Sequence, residues 1–284
     1  MSYSNSRIQQ FKNCPLSYYF KYEVGLNKVK DDKDDHHLVY GKAMHEALKL
    51  IYTGDSLEKA IQIFKENYSV QLDPEDMAKT QANGVTILEN YVKHYTNDFK
   101  RFEIISVEEE EEMGYAEEED FKLVLDLVVK LKDSGEYYGL DHKVVGGRNA
   151  YLSFEFWTQF SPNSQITKYT SHIFKKYGSC SGFYINAIGV GYRSRQYKGE
   201  PAGFWYKLER QMFNRNREQL KIEEKDTAYW ISMIEKSKAE NFYGMNTNSC
   251  KWCVYRQLCD PGWRWPEDRE LIENMSYYKL KEKK

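Results

Sequence analysis

Alternating apolar positions single out residues 121–143, FKLVLDLVVKLKDSGEYYGLDHK. Leu123, Leu125, Leu127, Val129 and Leu131 fall on one side of an extended chain, and Val124, Asp126 and Val128 on the other. That is the two-residue period of a strand. Asp133-Ser134-Gly135 reads as a turn, and residues 136–144 as a second strand carrying Asp141-His142-Lys143. Side chains two apart share a face of a strand, so Asp141 and Lys143 project together. Pairing through the turn lets Asp126 approach them. Two carboxylates and an ammonium on one sheet face are costly to desolvate, and a hard divalent cation, which takes carboxylate oxygens, offsets that cost. A surface hairpin with a chance Asp-x-Lys fits the same residues, so the choice falls to the rest of the chain.

Upstream, the period changes to that of helices. Residues 2–26 read as two short helices, the first capped by Ser4 or Ser6 and the second carrying Pro15 in its first turn. Residues 38–52 predict a helix with Gly41, His45, Leu48 and Tyr52 on neighbouring turns, Gly41 leaving room for close approach beside His45. Two further helices are expected over 56–70 and 74–100, followed by a strand over 102–115 whose acidic half includes Glu108. Glu108 reaches a metal at the hairpin only if its strand lies alongside.

Downstream, Val144–Arg148 is a Gly-rich loop and 151–160 is aromatic and irregular. Ser161-Pro162 suits a helix start. The helix over 162–177 sets Gln165 and Tyr169 four apart on one face. Strands are expected over 180–192 and 203–213, and a helix over 214–238.

Charge changes this picture in one respect. The net charge is only −2, yet residues 103–120 carry ten acids and no Lys or Arg, while 168–217 carry ten bases against Glu200 and Glu209. The basic segment, with Lys168, Lys175, Lys176, Arg193 and Arg195, is a candidate phosphate footprint as much as an ordinary solvated surface. No apolar run approaches the roughly 18 residues a membrane span needs, and the N-terminal MSYSNSRIQQF lacks the apolar core of a signal peptide. The expectation is a soluble cytoplasmic protein with no membrane partner.

Three of the five cysteines fall at Cys250-x2-Cys253-x5-Cys259, a spacing that lets thiolates share one ion or cluster. A fourth ligand comes from Cys14 or Cys180. Cys14, at a helix junction before Pro15, is the choice, because Cys180 opens an apolar strand. Such a site ties the first helix to a segment 236 positions away (250 − 14). Spacing does not separate zinc from an iron–sulfur cluster. Trp252, Tyr255, Leu258 and Trp263 are expected to shield either.

These pieces, in order, resemble the PD-(D/E)XK nuclease superfamily in its RecB-like branch, above all the iron–sulfur members: the AddB nuclease domain and the CRISPR-associated and phage RecB-like exonucleases. The resembling residues are Cys14-Pro15, Gly41-Lys-Ala-Met-His45, Asp126, Asp141-His-Lys143, Gln165-Ile-Thr-Lys-Tyr169 and Cys250, Cys253 and Cys259. Gly146-Gly147 departs from relatives that carry Thr after the lysine.

The resemblance implies an α/β, restriction-endonuclease-like mixed sheet flanked by helices, with a helical subdomain and a Cys-ligated cluster joining the chain ends. It divides the chain into 1–37, 38–102 with the motif histidine, a nuclease core at 103–240, and a cysteine segment at 241–284. It further implies a Mg2+ or Mn2+ ion on His45, Asp126, Asp141 and the Val144 carbonyl. Lys143, Gln165 and Tyr169 assist catalysis, and a [4Fe–4S] cluster, or alternatively Zn2+, sits on the four cysteines. The implied activity is DNA exonuclease cleavage of ends or single strands in recombination, repair or phage DNA processing, in host cytoplasm if phage-encoded, with room for a recombination or helicase partner. The alternative is a non-catalytic DNA-binding accessory module on the same fold.

Overall fold

The structure is a computed structural model and describes residues 2–29, 36–73, 77–116, 119–262, 264–275 and 277–280. The expectations for the helix start at 74–76, for Glu117 and Glu118 and for Trp263 lie outside the described residues.

In chain order the elements are α1 (Asn5–Asn13), α2 (Pro15–Tyr18), β1 (Leu26–Lys28), α3 (His36–Tyr52), α4 (Leu57–Asn67), α5 (Gln81–His94) and α6 (Asp98–Arg101). Then come β2 (Phe102–Ala116), β3 (Glu119–Leu131), β4 (Tyr137–Val145), α7 (Phe154–Thr158), α8 (Ser164–Tyr177), β5 (Gly182–Arg193) and β6 (Gly203–Phe213). The last are α9 (Arg217–Ala239), α10 (Arg256–Cys259), α11 (Arg269–Glu273) and β7 (Tyr278–Leu280). Two compact units form from interleaved segments: residues 32–111 with 124–221, and residues 1–31 with 112–123 and 222–284.

The larger unit is built on a mixed sheet in the order β2-β3-β4-β5-β6. β3 and β4 pair antiparallel, with Leu127 opposite Leu140. β4 and β5 pair parallel, with Asp141 opposite Ile185 and Lys143 opposite Ala187. Parallel neighbours require a crossover, and α7 and α8 supply it. Leu127, Val129 and Leu140 of the sheet join Met44, Leu48, Phe64, Ile87 and Leu88 of the helices in one core. The period-two reading of β3 holds: Leu123, Leu125, Leu127 and Val129 are buried, and Val124 on the opposite side is exposed.

Local signals fix most helix ends. Ser4 accepts from the Arg7 amide, and Pro15 stands in the first turn of α2. Ser56 accepts from the Lys59 amide at 3.2 Å. Three readings need correction. The one helix expected over 74–100 is α5 followed by the separate short α6. α8 starts at Ser164 and is capped by Asn163, whose side chain accepts from the Ile166 amide at 3.0 Å; Ser161 is not the cap, because an Asn side chain nearer the helix satisfies the same orphan donor. Residues 154–158 are helical rather than irregular, since Phe156 and Trp157 find buried positions.

The smaller unit gathers both ends of the chain. β1 pairs with β7, Leu26 opposite Leu280. The Leu16 amide donates to the Gly244 carbonyl at 3.0 Å, and the Tyr255 hydroxyl to the Leu26 carbonyl at 2.7 Å. Cys14, Leu16, Phe20, Leu26, Tyr255, Leu258, Ile272 and Tyr278 form its core.

Candidate active site

Helix α3 and strands β3 and β4, all in the larger unit, bring together residues 96 positions apart in sequence. Asp126 lies on the face of β3 opposite its leucines, and its Oδ2 accepts from the His142 amide at 2.7 Å. His45, one side of α3, puts Nδ1 3.4 Å from the same oxygen. On β4, the Lys143 ammonium pairs with the buried Asp141 Oδ2 at 2.7 Å. Strand alternation sends Asp141 and Lys143 to one face and turns His142 inward. His142 is fully enclosed beneath them, its ring 6.0 Å from that of His45.

The electrostatics follow from burial of like charges. Burial pushes the Asp126 carboxyl well above the usual carboxylate range, and the Asp141 charge pushes it further; the His142 amide and Lys143 oppose. Burial pulls the His45 imidazole down, against the Asp141 and Glu108 charges, so it is neutral and keeps a lone pair at pH 7. Burial also works against the Lys143 charge, but Asp141 and Asp126 outweigh it and the ammonium is held more firmly than usual.

Helix α8 lies over β4. Gln165 Nε2 donates to the Tyr169 hydroxyl at 2.9 Å. Tyr169 is buried, which pushes its phenol up to about 12, with the Asp141 and Asp126 charges adding to the rise against the Gln165 bond. Glu108 belongs to this neighbourhood through its charge on both His45 and Asp126. Its carboxylate pairs with Lys49 at 3.1 Å. Its backbone takes a φ of 45° within β2, a conformation costing of order 1–3 kcal/mol for a non-glycine residue.

Beneath the site lies a brace that the sequence did not disclose. Arg210 of β6 grips Asp98 with two bonds of 2.8 and 2.6 Å. Tyr52 donates to the same carboxylate at 2.6 Å, and Asn186 donates to Tyr91 at 2.7 Å. The Tyr52 and Tyr91 rings stand 5.6 and 6.0 Å from His142. Only the aromatic and helical periodicity of residues 38–102 hinted at it.

Other expected residues are distributed as follows. Val144 packs its side chain toward the core. Lys168 is 1 % exposed and donates to Ser164, so it is not part of a solvent-facing phosphate track; helical spacing turned it inward with Tyr169. Lys175 and Arg195 are exposed. Lys176 pairs with Glu111 and lies 4.0 Å from Glu109. Arg193 stacks on Trp205 at 4.7 Å. A Cβ at Gly41 would meet nothing within 4 Å, so that glycine faces open space beside His45 and not a packed neighbour.

In the smaller unit, all of the thiols are free, as is Cys180 in the larger one. Cys14 is buried, and its Sγ accepts from the Asn246 amide at 3.4 Å; Cys250 reaches the carbonyl of the same Asn246 at 3.8 Å. Burial pushes the Cys259 thiol up to about 11, and Cys253, Cys14 and Cys250 each add to the rise, so all three lie near Cys259. Cys180 instead donates to the Gly182 carbonyl at 3.5 Å. Tyr255 and Leu258 are buried beside the thiols, but Trp252 is 86 % exposed and shields nothing. Among the described residues, no three His, Cys, Asp or Glu side chains are placed so that they could hold one metal ion. No helix among them is long and apolar enough to cross a membrane.

The family model of the PD-(D/E)XK nuclease superfamily matches residues 2–260. No curated protein matches the sequence. A solved structure from Eubacterium rectale, named as a candidate exonuclease, is similar with a TM-score of 0.52 at 13% identity, covering 97% of this chain and 93% of that one. At that identity the likeness speaks to the fold alone. LHK-Exo in complex with dAMP matches over 72% of this chain and 95% of its own, at 13% identity and a TM-score of 0.29.

Proposed function

Because the chain belongs to the PD-(D/E)XK nuclease superfamily, we propose that it is a metal-dependent deoxyribonuclease, an exonuclease acting on DNA ends or single strands. One observation carries this reading. A neutral imidazole, two carboxylates and a firmly protonated lysine meet on adjacent elements, with His45 3.4 Å from Asp126 and Lys143 2.7 Å from Asp141.

Nucleases of this superfamily generally use Mg2+ or Mn2+. The donor chemistry suits such an ion: the Asp141 carboxylate, paired with Lys143 at 2.7 Å, and the carboxyl of Asp126, pushed toward protonation by burial and by its neighbour, are both relieved by a hard cation once the side chains close around it, since as placed no three of them converge on one point. His45, Asp126, Asp141 and the Val144 carbonyl would hold it; bound, it acidifies a water and polarises the phosphate. Lys143 keeps its proton, so it faces the scissile phosphate as a permanent cation and stabilises the charge that builds up on its oxygens. The Tyr169 phenol, held by Gln165, stays protonated and can donate to a phosphate or base. Lys175, Lys176, Arg193 and Arg195 supply backbone charge contacts.

The same reading gives Cys14, Cys250, Cys253 and Cys259 a [4Fe–4S] cluster that acts as a staple between the chain ends. The support is the place of Cys14, Cys253 and Cys259 in one core and the influence of Cys14, Cys250 and Cys253 on the Cys259 thiol. Anaerobically purified protein is expected to be brown, with iron and sulfide in cluster stoichiometry. A colourless protein holding one zinc overturns the cluster and spares the nuclease.

The nuclease itself is tested on end-labelled linear and nicked-circular DNA with Mg2+, Mn2+ or EDTA. Ends are expected to be degraded with either metal and not with EDTA. Asp141→Ala and Lys143→Ala are expected to keep DNA binding and lose cleavage. Undiminished cleavage in either variant, or degradation in EDTA, overturns the assignment; internal cutting of circles overturns the exonuclease part.

A further inference from the structure

Next to the proposed reaction centre, the larger unit contains a cavity of ≈ 590 Å³ to which the mechanism gives no task. Its walls include Lys79, Gly146, Arg148, Tyr151, Tyr192 and Trp205. It begins three residues after Lys143, roughly 10 Å along an extended chain at about 3.3 Å per residue. Its far wall is the end of β5, which pairs in parallel with β4 up to Val145 opposite Gly189.

The chemistry of the walls is selective. Among the described residues that line the cavity, none is Asp or Glu. Arg148 is exposed, so the cavity offers a cation from its rim, while Lys79, 5 % exposed, lies deep in the wall over the Tyr40 ring. The Tyr151 ring lies 4.8 Å from that of Trp205 at 35°, and Arg193 covers Trp205. Tyr151 and Tyr192 are each about half exposed, 50 % and 47 %. Glycine at 191 lets the Trp205 ring pack down on β5, where a Cβ would meet it at 2.4 Å. The hairpin beyond β5 continues the pattern with exposed Arg195 and Tyr197; its one carboxylate, Glu200, lies 3.8 Å from Arg193.

Aromatic faces interleaved with cations, in a space large enough for a nucleotide, are how single strands are held: bases stack on the rings and phosphates meet the charges. A base engaged this way must be unpaired. We propose that this cavity is a subsite for one unpaired nucleotide of the substrate strand. Its base stacks against the half-exposed Tyr151, its phosphate meets Arg148 at the rim, and it sits one or two nucleotides from the phosphodiester at Lys143. The inference rests on the nuclease reading, which names the strand; it adds where an unpaired base is held.

The test reads binding without cleavage. Anisotropy of a dye-labelled oligothymidylate in EDTA is measured for the wild type, Tyr151→Ala and Tyr151→Phe, with circular dichroism to check folding; the half-exposed ring can be removed without opening the core. Tyr151→Ala is expected to weaken binding roughly 5- to 100-fold, the range for losing one stacked base, and Tyr151→Phe to bind like the wild type. A single abasic position moved along the strand is expected to weaken the wild type at one position and to have no further effect at that position in Tyr151→Ala.

Unchanged binding by Tyr151→Ala, or a flat abasic scan, overturns the proposal. So does equal dependence on Tyr151 for a blunt duplex, or displacement of the strand by free dTMP at matching affinity, which would mark a small-molecule site. Failure of the nuclease reading looks different: Tyr151-dependent strand binding persists, but no metal yields cleavage.

Discussion

Around Asp126 the ionisable groups are of mixed sign and already answer one another: a carboxylate faces an imidazole at 3.4 Å, and its neighbour faces an ammonium at 2.7 Å. Around Cys259 they are mostly thiols: each of three others makes ionisation of the fourth harder, and only Arg264 opposes them. The first region can stand without an ion, at the expense of a carboxyl pushed toward protonation. The second, as thiols, is held by apolar packing and two backbone contacts to Asn246. A bound ion therefore changes reactivity in the first region and structure in the second.

Variants can break or sharpen this contrast. The largest effect is expected at Lys143, the cation of the mixed-sign region. Lys143→Ala should lower cleavage by about 10²–10³-fold or more, the scale of losing one electrostatic stabiliser, while anisotropy shows DNA binding retained. Loss of binding in proportion would make Lys143 a binding residue only.

Next is the brace. Asp98→Ala leaves Arg210 buried without its carboxylate, and should destabilise the protein by about 3–5 kcal/mol in urea unfolding. A change below 1 kcal/mol would mean that the guanidinium finds water. Cys14→Ala should cost several kcal/mol only when the protein is purified with its metal, because metal binding at such a site is folding free energy. An equal loss after chelation would show that packing alone is at stake.

The smallest effect is expected at Asp126. Its folded-state carboxyl is held above the ordinary 3.8. The metal-free folded protein therefore binds more protons than the unfolded chain, and stability falls as pH rises through the interval above 3.8. Asp126→Asn should flatten that fall and raise the metal-free midpoint at neutral pH by a few degrees, about 1 kcal/mol. Mg2+ or Mn2+ should raise the wild-type midpoint and leave that of the variant nearly unchanged.

What the chain disclosed in advance was local. The alternation of Leu123–Leu131, the caps at Ser4 and Ser56 and the Pro15 start each depend on a few neighbouring residues. The hairpin that pairs Leu127 with Leu140 was legible because its turn is short. What depended on distant partners was not. The parallel seat of β5 against β4 and the grip of Arg210 on Asp98 depend on segments tens of residues apart. Lys168 was read as surface because its charge is visible in the sequence, but the orientation of α8 is not. The exposed Trp252 shows the reverse error, an apolar side chain with no room in a core that Tyr255 and Leu258 already fill. Ser161 was misread more locally, because two cap candidates two residues apart, Ser161 and Asn163, compete.

The grip of Arg210 on Asp98 spans 112 residues. Until β6 arrives at the edge of the sheet, the acid has no counter-charge and the layer of tyrosines under His142 has no lock. Closing so wide a gap is slow compared with forming the hairpin. The proposed cutting centre is thus among the last parts of the molecule to mature: the acids and the lysine are in hand early, and competence waits for a strand that touches none of them.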